Sequence, residues 1–223
     1  MKSYVYCLII IGFILQALFI KAEHEEKYLL ADILKGSASL MFVLIGYNAF
    51  LVTNNPFNKQ ILIGLIFGMI GDIHLNMRYL FPKFDQKIFL TGIVAFLIGH
   101  IMYLVALIPQ AKHLAVFVAI GALVAAGLLA YIFKTMEVKK AFKIFGVFYL
   151  GAVFIMCSIA IGIALFVPNR RSIMYAIGAV LFTASDVVLI FNTFSGVTKF
   201  SLRICNLSLY YLGQVLIACS MFF

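Results

Sequence analysis

An all-α bundle of about eight membrane-spanning helices is predicted by three features of the sequence. Of 223 residues, 65% are hydrophobic and 11% charged, whereas an ordinary soluble domain is roughly half apolar and a quarter charged. The mean hydropathy is +1.13, which makes the bilayer the solvent that suits this chain. The apolar residues fall in runs of about 20, the length that crosses a hydrocarbon core as a helix, parted by short turn or charge signals. A secreted disulfide scaffold, a disordered chain and a soluble globular enzyme are excluded. Whatever chemistry the protein performs must come from side chains projecting from membrane helices.

The elements follow in order. The first span, Ser3–Ile20, follows Lys2; it is too long for the apolar region of a signal peptide, and Lys21-Ala22-Glu23 is a poor cleavage site. Span 2, Leu29–Val52, stops at Asn54-Asn55-Pro56. Span 3, Gln60–Met77, stops at Arg78 and Phe81-Pro82. Span 4, Ile88–Ile108, ends at Pro109. Span 5, His113–Phe133, is closed by Lys139-Lys140, and span 6, Phe142–Val167, by Pro168-Asn169-Arg170-Arg171. Span 7, Ser172–Phe194, ends at Ser195-Gly196, and span 8, Leu202–Phe223, completes the chain.

The 17 Lys+Arg against 8 Asp+Glu give a formal charge of +9. Because these basic residues lie in short loops, they read as topology signals and contacts to anionic lipid head groups; nucleic acid is not an expected partner. The N-terminus and loops 2–3, 4–5 and 6–7 hold Lys2, Lys59, Lys112, Arg170 and Arg171. The other four loops hold eleven basic residues, Arg78, Lys139, Lys140, Lys143 and, at the start of span 8, Arg203 among them. The positive-inside rule puts the richer set in the cytoplasm and both termini outside. Cys7, Cys157, Cys205 and Cys219 have no C-x-x-C spacing and read as small buried hydrophobes.

An internal repeat is also expected. A shift of 114 residues lays Gly64 on Gly178, Asp72 on Asp186, Leu75 on Leu189 and Gly99-His100 on Gly213-Gln214. The chain then reads as one integral membrane domain, 1–223, with candidate repeats 1–110 and 111–223 related by an axis along the membrane normal.

Ionisable groups inside a bilayer are costly and point to function. Here they are Lys35, Asp72, His74, His100 and Asp186, with Asp32 at the rim of span 2. At roughly 1.5 Å per residue, Lys35 lies about 9 Å, Asp72 about 8 Å and Asp186 about 12 Å from the ends assigned to the cytoplasm; His100 and Gln214 lie about 18 Å deep. On span 3, Gly64, Gly68, Asp72 and Asn76 recur every fourth residue and share a face. On span 8, Asn206, Tyr210 and Gln214 do the same. These seams predict a polar cavity open toward the cytoplasmic leaflet. The bland alternatives are a Lys35–Asp32 pair at i,i+3, aspartates acting as packing glue between helices, and a satisfied core histidine at position 100. Asp72-x-His74 is a weak metal signal, and no metal or cofactor is expected.

Five segments, in order over nearly the whole chain, resemble the YhhN family of multispan membrane proteins, which includes the lysoplasmalogenases. They are Lys35 in "ILKGSASLMF", Gly71-Asp72 in "GMIGDIHL", Gly99-His100 in "GIVAFLIGHIMY", Ser185-Asp186 in "IGAVLFTASDVVLIF", and Tyr210-Tyr211 with Gln214 in "LSLYYLGQVLI". Gly36 stands where the family usually has proline after the lysine, so the family's local bend is not carried over. The resemblance implies hydrolysis of the vinyl-ether bond of lysoplasmalogens to a fatty aldehyde and a glycerophospho-ethanolamine or -choline.

A vinyl ether is opened by acid through an oxocarbenium ion, so two carboxyls suit the reaction, one protonated and one ionised. Asp72 and Asp186 are expected to be catalytic, with their division of labour open. Lys35 would hold the ionised aspartate or the substrate phosphate, and His100, Ser185, Tyr210, Tyr211 and Gln214 would orient water and head group. Lysophospholipid and membrane lipids are the expected partners, with no obligate protein partner, in a bacterial inner membrane. The rival reading is a secondary transporter whose aspartates bind protons or sodium.

Overall fold

In a computed structural model, which describes residues 3–196 and 198–223, the chain is an all-helical bundle. Lys2, counted above as a topology charge, lies outside the described residues. The helices are α1 (Ser3–His24), α2 (Tyr28–Thr53), α3 (Pro56–Met77), α4 (Asp85–Leu107), α5 (Leu114–Thr135), α6 (Lys140–Phe166), α7 (Arg170–Phe194) and α8 (Phe200–Ser220). Each is long and apolar enough to cross a membrane, so this is an integral multi-pass membrane protein. Short 3-10 turns at Pro82–Phe84 and Ile108–Gln110 flank α4. A helix satisfies its own backbone hydrogen bonds, which is why a bilayer selects it.

The helix ends are built as their residues dictate. Asn55 accepts from Asn58 N with Pro56 at the first helical position of α3, and Asn169 and Ser172 form a capping box at the start of α7. Helix α2 runs unbroken through Gly36. The large side chains that remain exposed, among them Ile10, Leu51, Leu123 and Leu165, are apolar and would face lipid. Two cysteines differ from expectation: Cys157 and Cys219 are buried, but Cys7 and Cys205 are exposed, because they fall on the outer faces of α1 and α8.

Small residues set the helix crossings. A Cβ built on Gly99 would lie 3.0 Å from Gly64 O, and one on Gly178 would lie 2.8 Å from Gly213 O. Backbones approach this closely only where neither residue carries a side chain. Contacts at positions 114 apart match: Tyr103 covers Gly64 as Ile217 covers Gly178, and Gln214 meets Gly68 as His100 meets Phe182. In this arrangement α3 and α4 pack together, as do α7 and α8. Helix α2 lies against α8 and α4 against α6, while α5 packs on α6.

Candidate active site

The polar residues collect at the end of the bundle where loops 1–2, 3–4, 5–6 and 7–8 lie. Helix α3 presents Asp72 from the seam begun by Gly64 and Gly68, and α2 presents Lys35 and, one turn on, Ser39. Lys35 Nζ lies 3.4 Å from Asp72 Oδ1, with both side chains 3% exposed. Ser39 Oγ and Tyr210 OH each donate to Asp72 Oδ2 at 2.6 Å. A buried ion pair persists only when further hydrogen bonds satisfy it, and these two hydroxyls supply them. The Lys35 ammonium also sits 5.5 Å from the centre of the Phe19 ring. The alternative Lys35–Asp32 pair is not among the ion pairs of the described residues, and Asp32 Oδ1 has no hydrogen-bond partner there.

Asp186, on α7, is held differently. It is 4% exposed and accepts one hydrogen bond, from Tyr149 OH at 2.6 Å. Among the described residues no basic side chain stands within ion-pair distance of it. Next to it, Ser185 O and Oγ accept from Asn206 Nδ2 at 2.8 and 3.0 Å, which locks α7 to α8.

Both aspartates line one chamber of about 110 Å³, together with Lys35, Tyr149, Ser185 and Tyr210. The rest of its wall is apolar, including Phe89, Ile93, Leu129, Ile132, Phe142 and Phe194. One end of the chamber therefore holds the polar groups, and an apolar arm extends among α4, α5, α6 and α7.

Three of the expected site residues stand behind the chamber wall. Tyr211 OH lies 3.2 Å from Ser39 Oγ and 3.3 Å from Lys35 O, so it braces the groups that hold Asp72. Gln214 Oε1 accepts from Tyr103 OH at 3.0 Å. His100 Nδ1 bonds Phe96 O at 2.8 Å, its ring meets Tyr149 and Phe182 edge-on, and its Nε2 has no partner among the described residues. Ser39, Tyr149 and Arg203 contribute to the chamber or its supports without having been singled out. Ser39 was one helical turn from Lys35. Tyr149 is the residue that the 114-residue shift lays on Lys35, and as Lys35 contacts Asp72 it contacts Asp186. Arg203 looked like a loop charge, but it lines the chamber and is paired with Glu23 at 2.8 Å.

No curated protein and no solved structure matches the chain. The model of the YhhN family does, over residues 30–221, a stretch that begins before Lys35 and ends beyond Gln214. The chain belongs to the YhhN family.

Proposed function

We propose that this protein hydrolyses the vinyl-ether bond of lysoplasmalogens within the membrane, releasing a fatty aldehyde and a glycerophospho-ethanolamine or -choline. YhhN is the lysoplasmalogenase family, which supports a reaction of this type. The observation that carries the reading is the unequal setting of two aspartates in one chamber. Asp72 faces an ammonium and two hydroxyl donors, all of which favour the carboxylate. Among the described residues Asp186 has one phenol donor and no cation within ion-pair distance, the setting that suits the proton donor of the pair.

Asp186 delivers its proton to the alkene carbon distal to the ether oxygen. The carbon bonded to that oxygen becomes an oxocarbenium centre, stabilised by the Asp72 carboxylate. Water adds to this carbon as Asp72 accepts its proton, giving a hemiacetal. The hemiacetal hydroxyl proton returns to Asp186, the carbon–oxygen bond to glycerol breaks, and the Asp72 proton passes to the departing oxygen. Both aspartates regain their starting forms, and the net change is addition of one water. This is the two-carboxyl logic by which glycosidases treat an oxocarbenium-like transition state. Lys35, braced by Tyr211, pairs with Asp72 and fixes its position. Tyr149, Ser185, Tyr210 and the supporting His100 and Gln214 fix the geometry. No metal or cofactor takes part. The alkenyl chain occupies the apolar arm.

The loop charges support a chamber mouth facing the cytoplasm, with both termini outside. The test is release of free aldehyde by detergent-purified protein given lysoplasmalogen. Asp186→Asn is expected to abolish it while the protein still inserts and purifies. Full activity in Asp186→Asn overturns the mechanism, and gradient-dependent uptake without aldehyde would identify a carrier.

A further inference from the structure

A second cavity, of about 430 Å³, lies beside the chamber, between the ends of α1, α3, α7 and α8. The two share Leu189, Thr193 and Arg203, so they abut at these residues. Their walls differ in kind. The second cavity is lined by Arg78, Lys199 and Arg203 together with Glu23, Glu26, Tyr28 and Tyr79.

The two arginines are held in place with donors to spare. Arg203 Nε and Nη2 bond the Glu23 carboxylate at 3.2, 2.8 and 3.1 Å, and Nη1 has no hydrogen-bond partner among the described residues. Arg78 donates through Nη2 to Tyr79 OH at 2.8 Å. Its guanidinium carbon lies 4.8 Å from the centre of the Tyr79 ring and 4.7 Å from that of Phe89. Its Nε is buried without a partner, and no carboxylate stands within ion-pair distance among the described residues. Phe89 belongs to the chamber wall, so Arg78 stands at the same junction as Arg203. Lys199 adds a third positive charge at the exposed rim.

Guanidinium groups fixed by packing, with unused N–H donors, suit an oxyanion with several acceptor oxygens, above all a phosphate. The depth fits a ligand anchored in the chamber. Arg78 lies six residues beyond Asp72 and Arg203 seven before Tyr210, or about 9–11 Å along their helices. A glycerol spacer together with the arginine side chains covers that separation. The same cavity also holds Glu26 and the ring of Tyr28, stacked on Tyr79 at 5.2 Å, which suit the ammonium of a zwitterionic head group.

We propose that the second cavity is a phosphodiester-binding subsite, in which Arg78 and Arg203 clamp the head-group phosphate of the single-chain lipid whose tail lies in the chamber. This rests on the reading of the chamber as a lysolipid site. The test is equilibrium binding to the detergent-purified full chain, with three probes: a non-hydrolysable 1-alkyl lysophosphatidylcholine, the phosphate-free 1-alkylglycerol of equal chain length, and inorganic phosphate. The wild type is expected to bind the phosphodiester lipid about tenfold or more tighter than the alkylglycerol. Arg78→Gln is expected to bring that ratio close to one. Lys199→Gln, at an exposed position, is expected to lower it by about threefold and to steepen no salt dependence. Equal binding of the two lipids by wild type, or an unchanged ratio in both variants, overturns the clamp. Inorganic phosphate that binds the cavity without competing with the phosphodiester lipid overturns a lipid head group as its occupant. Phosphate-selective binding without aldehyde release would sink the hydrolase reading and leave the clamp standing.

Discussion

Replacing Asp72 by asparagine separates structural from chemical roles at the site. The Lys35 ammonium is 3.4 Å from Asp72 Oδ1 and both side chains are 3% exposed. Asp72→Asn keeps the shape and an acceptor for Ser39 and Tyr210 but leaves a buried ammonium uncompensated. Breaking one side of a buried pair costs about 3–5 kcal/mol, which at about 2–4 °C per kcal/mol lowers the apparent Tm by roughly 6–20 °C. Adding Lys35→Met removes the stranded charge while keeping most of the apolar stem volume, so the double variant recovers the larger part of that loss. The assay is thermal unfolding of detergent-purified protein, run beside the aldehyde assay. Stability is expected to fall in Asp72→Asn and return in Lys35→Met/Asp72→Asn, while aldehyde release is absent from both. An Asp72→Asn protein as stable as wild type, or a double variant no more stable than the single, refutes the ion-pair reasoning. Activity restored in the double variant refutes Asp72 as a catalytic carboxylate.

Three further outcomes are expected. Tyr149→Phe removes the phenol hydrogen bond to Asp186 and should lower kcat about tenfold with little change in KM, a loss of about 1–1.5 kcal/mol, read from initial rates of aldehyde release. Gly146 lines the chamber, and a Cβ there meets nothing within 4 Å. Gly146→Phe should therefore project into the apolar arm and raise KM for long alkenyl chains about tenfold while sparing short ones, checked across a chain-length series. Gly99→Leu forces a side chain against Gly64 O, where even a Cβ would stand at 3.0 Å, and should destabilise by about 1–3 kcal/mol, seen as a lowered Tm.

The division between what is local and what is not explains how much could be read in the sequence. Hydrophobicity is summed residue by residue along a span, so all eight helices were legible, and their ends shifted by only a few residues; α3, for example, begins at Pro56 rather than Gln60. The scarcity of charge inside those spans also made the intramembrane ionisable residues easy to pick out. Lys35, Asp72, Ser185, Asp186 and Tyr210 do line one chamber. His100, Tyr211 and Gln214 were legible as buried polar residues, but periodicity could not separate chamber wall from support behind it.

What only the tertiary structure decided is partnership. Helical spacing alone offered Lys35 a neighbour in Asp32, yet the rotation of α2 against α3 gives it Asp72. The sequence presents Asp72 and Asp186 as equivalents in a repeat; the fold surrounds one with an ammonium and two hydroxyls and the other with a phenol. Arg78 and Arg203 looked like interchangeable loop charges until the ends of four helices enclosed them in one cavity. The physical reason is common to all three. Insertion into a bilayer depends on each segment's own transfer free energy, whereas contacts between side chains far apart in sequence depend on how helices rotate and cross, and small residues such as Gly64, Gly99, Gly178 and Gly213 fix those crossings through close backbone packing.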